Sequence, residues 1–148
     1  MTTISLIDTN ILVYAYNESA PFHEKALEIL ESALNDEFNA VISDKNLFEL
    51  WAIITDPKRV EKPQSIEQAH KVINFLINSN IKIIYPSSFT MLKTFELTDK
   101  YRISRQHIFD VIFVALMIEN KIKTILTAND KHFKQFKEIK VINPFVDM

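Results

Sequence analysis

The sequence predicts an α/β protein built on a central parallel sheet of four to five strands. Three observations lead there. Short apolar runs alternate with amphipathic stretches along the whole chain. The runs, such as the β-branched Thr3–Ile7, read as buried strands, and strands that alternate with helices imply a sheet covered on both faces. No repeat, low-complexity tract or linker divides the 148 residues, so one domain over 1–148 is expected.

Each element has its own local reason. Thr3–Ile7 ends at Asp8 and reads as a buried strand. Ile11–Tyr16 suits a short helix capped by Thr9 or Asn10. Pro21 starts a second helix, whose apolar face runs from Phe22 to Leu34 at helical spacing. Asn39–Ile42 is a second strand, and Ser43 with Asp44 supplies the cap of the helix carrying Leu47, Phe48, Leu50, Trp51 and Ile54. Trp51 and Phe48 are placed in the core. Asp56-Pro57 ends that helix. The polar segment Lys58–Gln64 is expected to be mobile. Ser65 and Gln68 form a capping box for a helix through Asn78. Ile81–Tyr85 is a third strand, closed by Pro86. Ser87 or Ser88 caps a helix toward Tyr101, and Ser104 opens the helix carrying Asp110. Lys123–Leu126 and Val141–Ile142 complete the strands.

Composition removes whole classes of chemistry. The chain has no cysteine, which excludes disulfides, cysteine-ligated metals and thiol catalysis. It has no glycine, which excludes phosphate-cradling glycine loops and the GxSxG nucleophile elbow. A net charge of −2 excludes a strongly cationic coat. The start MTTISLIDTN lacks a basic segment and carries an acid at position 8, unlike a signal peptide. No apolar run reaches the length of a membrane span, so a cytoplasmic location without membrane contact is expected.

The acids carry the chemistry. In open parallel sheets, ligands bind beyond the carboxyl ends of the strands, where strand order reverses. Asp8 follows the first strand, Glu49 lies two turns beyond the second, and Asp130 comes just after the fourth. Asp110 lies in the apolar stretch IFDVIFVALMI. Individually they also suit an N-cap, a solvated helix face, a turn and a salt bridge to His107 or Arg105. Gathered at one sheet edge they would repel one another, and a hard divalent cation resolves that. Mg²⁺ or Mn²⁺ bound by oxygens suits phosphodiester hydrolysis.

The run IDTNILVYAY from Ile7 to Tyr16, VISDKNLFEL with Glu49, IFDVIFVALMIEN around Asp110, and ILTANDKHF followed by VINPF resemble, in order and spacing, the motifs of PIN-domain nucleases. Within that family the likeness is to VapC-type toxins of toxin–antitoxin pairs. The resemblance covers essentially the whole chain. It implies a three-layer α/β/α fold and an endoribonuclease dependent on Mg²⁺ or Mn²⁺, cutting to leave a 5′ phosphate and a 3′ hydroxyl. Asp8, Glu49 and Asp110 take the first three acidic positions. The fourth falls at Asn129 in one pattern of relatives and at Asp130 in another; Asp130 is assigned, with Asn129 and Thr127 beside it. Asn10 would orient Asp8. The resemblance further implies a homodimer and a cognate antitoxin, with Phe22, Tyr14, Tyr16 and the Leu47–Trp51 helix as lining for its groove.

RNA must reach an acidic pocket. Setting the four acids aside turns 17 bases against 19 acids into a slight basic excess. Lys58, Arg59 and Lys62, with Lys131, Lys134 and Lys137, are phosphate contacts by position; Arg102 and Arg105 flank the Asp110 helix. Two other chemistries fail on the residues. A haloacid-dehalogenase phosphatase needs an acid where Asn10 stands, and a receiver domain needs adjacent acids after its first strand, where Asp8 precedes Thr9. A PIN-like module that binds RNA or protein without cleaving is the remaining alternative.

Overall fold

The structure is a computed structural model and describes residues 3–146. Strand β1 (Ile4–Ile7) passes straight into helix α1 (Thr9–Tyr16). Asp8 makes the turn: its backbone is extended and its carboxylate accepts from the Thr9 amide at 2.8 Å. The cap is therefore Asp8, which the sequence also allows, and not Thr9 or Asn10. Helix α2 (His23–Leu34) starts two residues beyond the expected Pro21, with no side-chain cap.

Strand β2 (Asn39–Ser43) leads into α3 (Asp44–Ile54), where Ser43 and Asn46 form a capping box. The same device, Ser65 with Gln68, starts α4 (Ile66–Ile77) as the sequence predicts. Strand β3 (Lys82–Ile84) is followed by α5 (Ser88–Tyr101), boxed by Ser87 and Thr90. Ser104 opens only a 3₁₀ turn over Arg105–His107, and α6 (Ile108–Glu119) begins after it. Strand β4 (Thr124–Leu126), a single-turn helix α7 (Asp130–Phe133) that the sequence reading lacks, and β5 (Lys140–Ile142) finish the chain.

One local expectation changes, at Phe48, and the segment expected to be mobile gains detail. The segment Lys58–Gln64 is anchored at both ends. Asp56 accepts the Lys58 amide at 2.9 Å on its carboxylate and the Arg59 and Val60 amides on its carbonyl; Gln64 N donates to Ile54 O at 2.7 Å. Val60 is buried within it. Phe48 is a surface residue, 73% exposed, while Trp51 is half-buried and stacks on His70.

All strand pairs are parallel, in the order β3-β2-β1-β4-β5. Leu6 lies between Val41 and Ile125. Successive strand residues point to opposite faces, and two cores result. Ile7 and Ile42 join Ile11, Leu12, Leu30, Leu50 and Leu76 on the α1–α4 side. Leu6, Val41 and Ile125 join Leu97, Val111, Val114 and Met117 on the α5–α6 side. This is the three-layer α/β/α arrangement. Each fully buried Leu or Ile contributes about 2 kcal/mol of apolar transfer. Among the described residues, no helix is long and apolar enough to cross a membrane.

The chain folds outward from its own beginning. From β1 it builds β2 and β3 to one side, then crosses to place β4 and β5 on the other. The strand order thus reverses between β1 and β4, and Asp8 and Thr127 stand just past their carboxyl ends.

Candidate active site

Asp8 is held from three directions. Besides the Thr9 amide, its Oδ2 accepts from Thr127 Oγ1 at 2.8 Å and from Asn10 Nδ2 at 3.4 Å. Its own amide donates to Leu126 O at 2.9 Å, locking β1 to β4 at this level. Asp8 is 8% exposed. Burial pushes its carboxyl up to about 6; the bonds from Thr127 and Thr9 oppose that, and the nearby charges of Glu49 and Asp110 add to it.

Glu49 is set by a relay through buried polar groups. Asn46 Oδ1 accepts from the Ser43 amide at 2.8 Å. Asn46 Nδ2 donates to Thr9 Oγ1 at 2.9 Å, and Thr9 Oγ1 donates to Glu49 Oε1 at 2.7 Å. Asn46 and Thr9 are both buried, so their polar atoms need partners, and these bonds supply them. One cap residue of α3 therefore aims an acid three residues further along the same helix.

Asp110 differs from its expected place. Because α6 begins at Ile108, Asp110 stands in the first helical turn, its side chain 29% exposed. A carboxylate is favoured there by the unpaired amides of the helix start. Its Oδ2 lies 3.3 Å from Nδ1 of His132.

Asp8, Asn10, Glu49, Arg59, Asp110, Asn129 and His132 line one cavity of about 710 Å³. Thr127 stands behind it and accepts the Asn129 amide at 2.9 Å, while Asn10 Oδ1 accepts the Ala128 amide at 3.1 Å. Asp130 does not line the cavity. Its carboxylate accepts from Lys134 Nζ at 2.9 Å and Asn143 Nδ2 at 3.1 Å, and these bonds, Lys134 first, hold it below the usual carboxylate range. At the two adjacent positions, the structure thus brings Asn129 to the cavity and turns Asp130 away. Of the expected phosphate contacts, Arg59 lines the cavity. Lys131 borders a smaller recess of about 160 Å³ behind Asp110, and Lys58 and Arg105 line neither.

Residues that the sequence did not single out complete the site. Thr9 and Asn46 form the relay, and His132 faces Asp110. Lys45, one helical turn before Glu49, donates to Phe109 O at 2.9 Å and lies 4.8 and 4.6 Å from the Phe109 and Phe113 ring centres. Burial lowers its pKa, against the pull of Glu49, Asp110 and Asp8. Only Lys45 had a usable signal, its i, i+4 spacing to Glu49.

The donor set fits a hard divalent cation. Among the described residues, no three acidic or histidine side chains close on one point as a ready-made cage. Mg²⁺ does not require one, since it keeps several waters and takes one or two carboxylates plus substrate phosphates. Three carboxylates around a common cavity, one of them resisting ionisation chiefly because it is buried, offer that chemistry.

Known proteins share this arrangement of elements. Ribonuclease VapC24 of Mycobacterium tuberculosis is 25% identical over 138 residues, covering 93% of this chain and 94% of that protein. The VapBC2 structure from Rickettsia felis, bound to a DNA fragment from its promoter, superposes with a TM-score of 0.68. It is 22% identical and covers 95% of this chain and 98% of that one. Mycobacterium tuberculosis VapC20, described as a sarcin-ricin loop cleaving toxin, gives 0.67 at 14% identity, covering 92% of this chain and 98% of its own. These two structures establish likeness of fold. The PIN-domain family model matches residues 5–139, a span that starts inside β1, ends just before β5 and carries Asp8, Glu49 and Asp110; the chain belongs to the PIN-domain family.

Proposed function

We propose that this chain is an endoribonuclease dependent on Mg²⁺ or Mn²⁺, acting as the toxin of a toxin–antitoxin pair. One observation carries the reading: Asp8, Glu49 and Asp110, from three separate elements, line a single cavity at the point where strand order reverses. The ribonuclease name of the Mycobacterium tuberculosis relative supports the activity, and the VapBC assemblies among the structural neighbours support the antitoxin partner. A cytoplasmic homodimer is part of the same reading.

Asp8, Glu49 and Asp110 would hold the cation, which supplies activation of water and stabilisation of the departing oxygen. Thr127 and Asn10 fix the Asp8 carboxylate, and the Asn46–Thr9 relay fixes Glu49. Asn129 fills the fourth position facing the cavity, and Asp130 stays with Lys134 and Asn143. Arg59 offers a positive charge at the rim to the RNA backbone.

The test is cleavage of total cellular RNA by purified, antitoxin-free protein. Cutting is expected with Mn²⁺ or Mg²⁺, and it should stop with a chelator or in folded Asp8→Asn and Asp110→Asn variants. No cutting by the parent, or equal cutting by the variants, sinks the proposal and leaves a non-catalytic binding module.

A further inference from the structure

The cavity contains a nitrogen donor that a hard-cation site has no need of. His132 Nδ1 is 3.3 Å from Asp110 Oδ2, and both residues line the acid cavity. Together with His107 they also line the smaller recess, so the pair borders both spaces. The spacing is informative. Two donors at right angles on one six-coordinate ion, each about 2.1 Å from it, stand about 3 Å apart. Asp110 and His132 hold that separation without rearrangement of their helices. Asp130, two residues before His132 on α7, is engaged with Lys134 and Asn143 outside the cavity.

We propose that His132 is a ligand of the divalent cation beside Asp110, making the site a mixed oxygen–nitrogen one that favours a first-row transition ion over Mg²⁺. This rests on the metal-dependent reading above and specifies its ion. The reason is ligand chemistry: imidazole binds Mg²⁺ poorly, and affinity at nitrogen-containing sites rises from Mn²⁺ to Co²⁺. His132 is half-exposed at 52%. Without a cation its contact with Asp110 is an exposed pair of small energetic value, which leaves the ring available to an ion.

Co²⁺ is the probe, because its unpaired electrons reach a directly bound imidazole through the bond. The full chain is titrated with Co²⁺ and, separately, Mg²⁺, by calorimetry and proton NMR, without RNA. The four histidines supply internal controls, since His23 and His70 lie outside this cavity. A strongly shifted imidazole proton is expected in the parent and in His107→Gln, and none in His132→Gln. The Co²⁺-to-Mg²⁺ affinity ratio should fall by about tenfold or more in His132→Gln. If Co²⁺ binds and Asp8→Asn abolishes binding, yet no imidazole proton shifts and the ratio is unchanged in His132→Gln, His132 is only a salt-bridge partner. The proposal is then overturned while the metal-dependent reading stands. If no divalent ion binds the parent at all, both fall.

Discussion

At the scale of single residues, Asp8 sets the pH behaviour of the metal-free protein. Its carboxyl is raised to about 6, chiefly by burial. An acid with a raised folded pKa favours the fold while it is protonated, so this contribution is full below the unfolded pKa of about 4 and is lost as pH rises through about 6. Metal-free protein should therefore lose this stability between pH 4 and pH 7, and Asp8→Asn should be more stable than the parent at pH 8 by about 1–2 kcal/mol. The two should converge near pH 4 in chemical denaturation. Asn46 makes the opposite prediction. Asn46→Ala takes the side-chain acceptor from the buried Ser43 amide and the donor from Thr9 Oγ1, so a loss of about 2–3 kcal/mol is expected in urea unfolding, with weakened RNA cleavage because Glu49 loses its aim. Which of these residues the sequence reveals follows from distance. Asp8, Glu49 and Asp110 stand out as acids in apolar surroundings. Asn46 and Thr9 meet only when α1 packs on α3, 37 residues apart, and no local pattern encodes that. Asn129 and Asp130 are neighbours in sequence, and α7 decides which of them faces the cavity.

At the scale of elements, the capping serines and most helix ends were legible: α3 stops before Asp56-Pro57, α4 at Ile77 with Asn78 as its cap, and α5 at Tyr101. Ser43, Ser65 and Ser87 cap helices as the sequence indicates, because a hydroxyl acceptor for a free amide is a local device. Helix ends normally announce themselves with glycine, and this chain has none. Asp36, Arg102 and Lys121 take left-handed backbone just past α2, α5 and α6, with φ of 59°, 55° and 58°. A side chain with a Cβ is strained there by about 1 kcal/mol. Lys121→Gly is expected to raise stability by about 0.5–1 kcal/mol, read as a higher midpoint of thermal unfolding. Failure to gain would mean that Lys121 makes compensating contacts. The single-turn α7 was invisible because four residues hold too little periodicity to read. At Lys58–Gln64, polar composition conceals the bonds that Asp56 and Ile54 make to the backbone.

At the scale of the molecule, the alternation of runs was enough to foresee a parallel sheet with two covered faces, because βαβ connections permit little else. The order of its strands was not legible, since nothing in β1 states whether β4 lies beside it or beside β3. We propose that residues 1–148 form one folding unit, since the two cores share the same sheet, with Leu6 and Ile7 of β1 facing opposite sides. A single unfolding transition by circular dichroism and fluorescence is expected, and two separated transitions would contradict it. The placement of β1 has a bearing on synthesis. Its neighbour on one side is made early, but the neighbour on the other is β4, near the end of the chain. A ribosome that has translated as far as α5 has made Asp8 and Glu49 but neither Asp110 nor the Thr127 hydroxyl that steadies Asp8. Products of translation that stall before α6 therefore carry half a pocket, and the site is complete only once β4 and the Thr127 that follows it have been made.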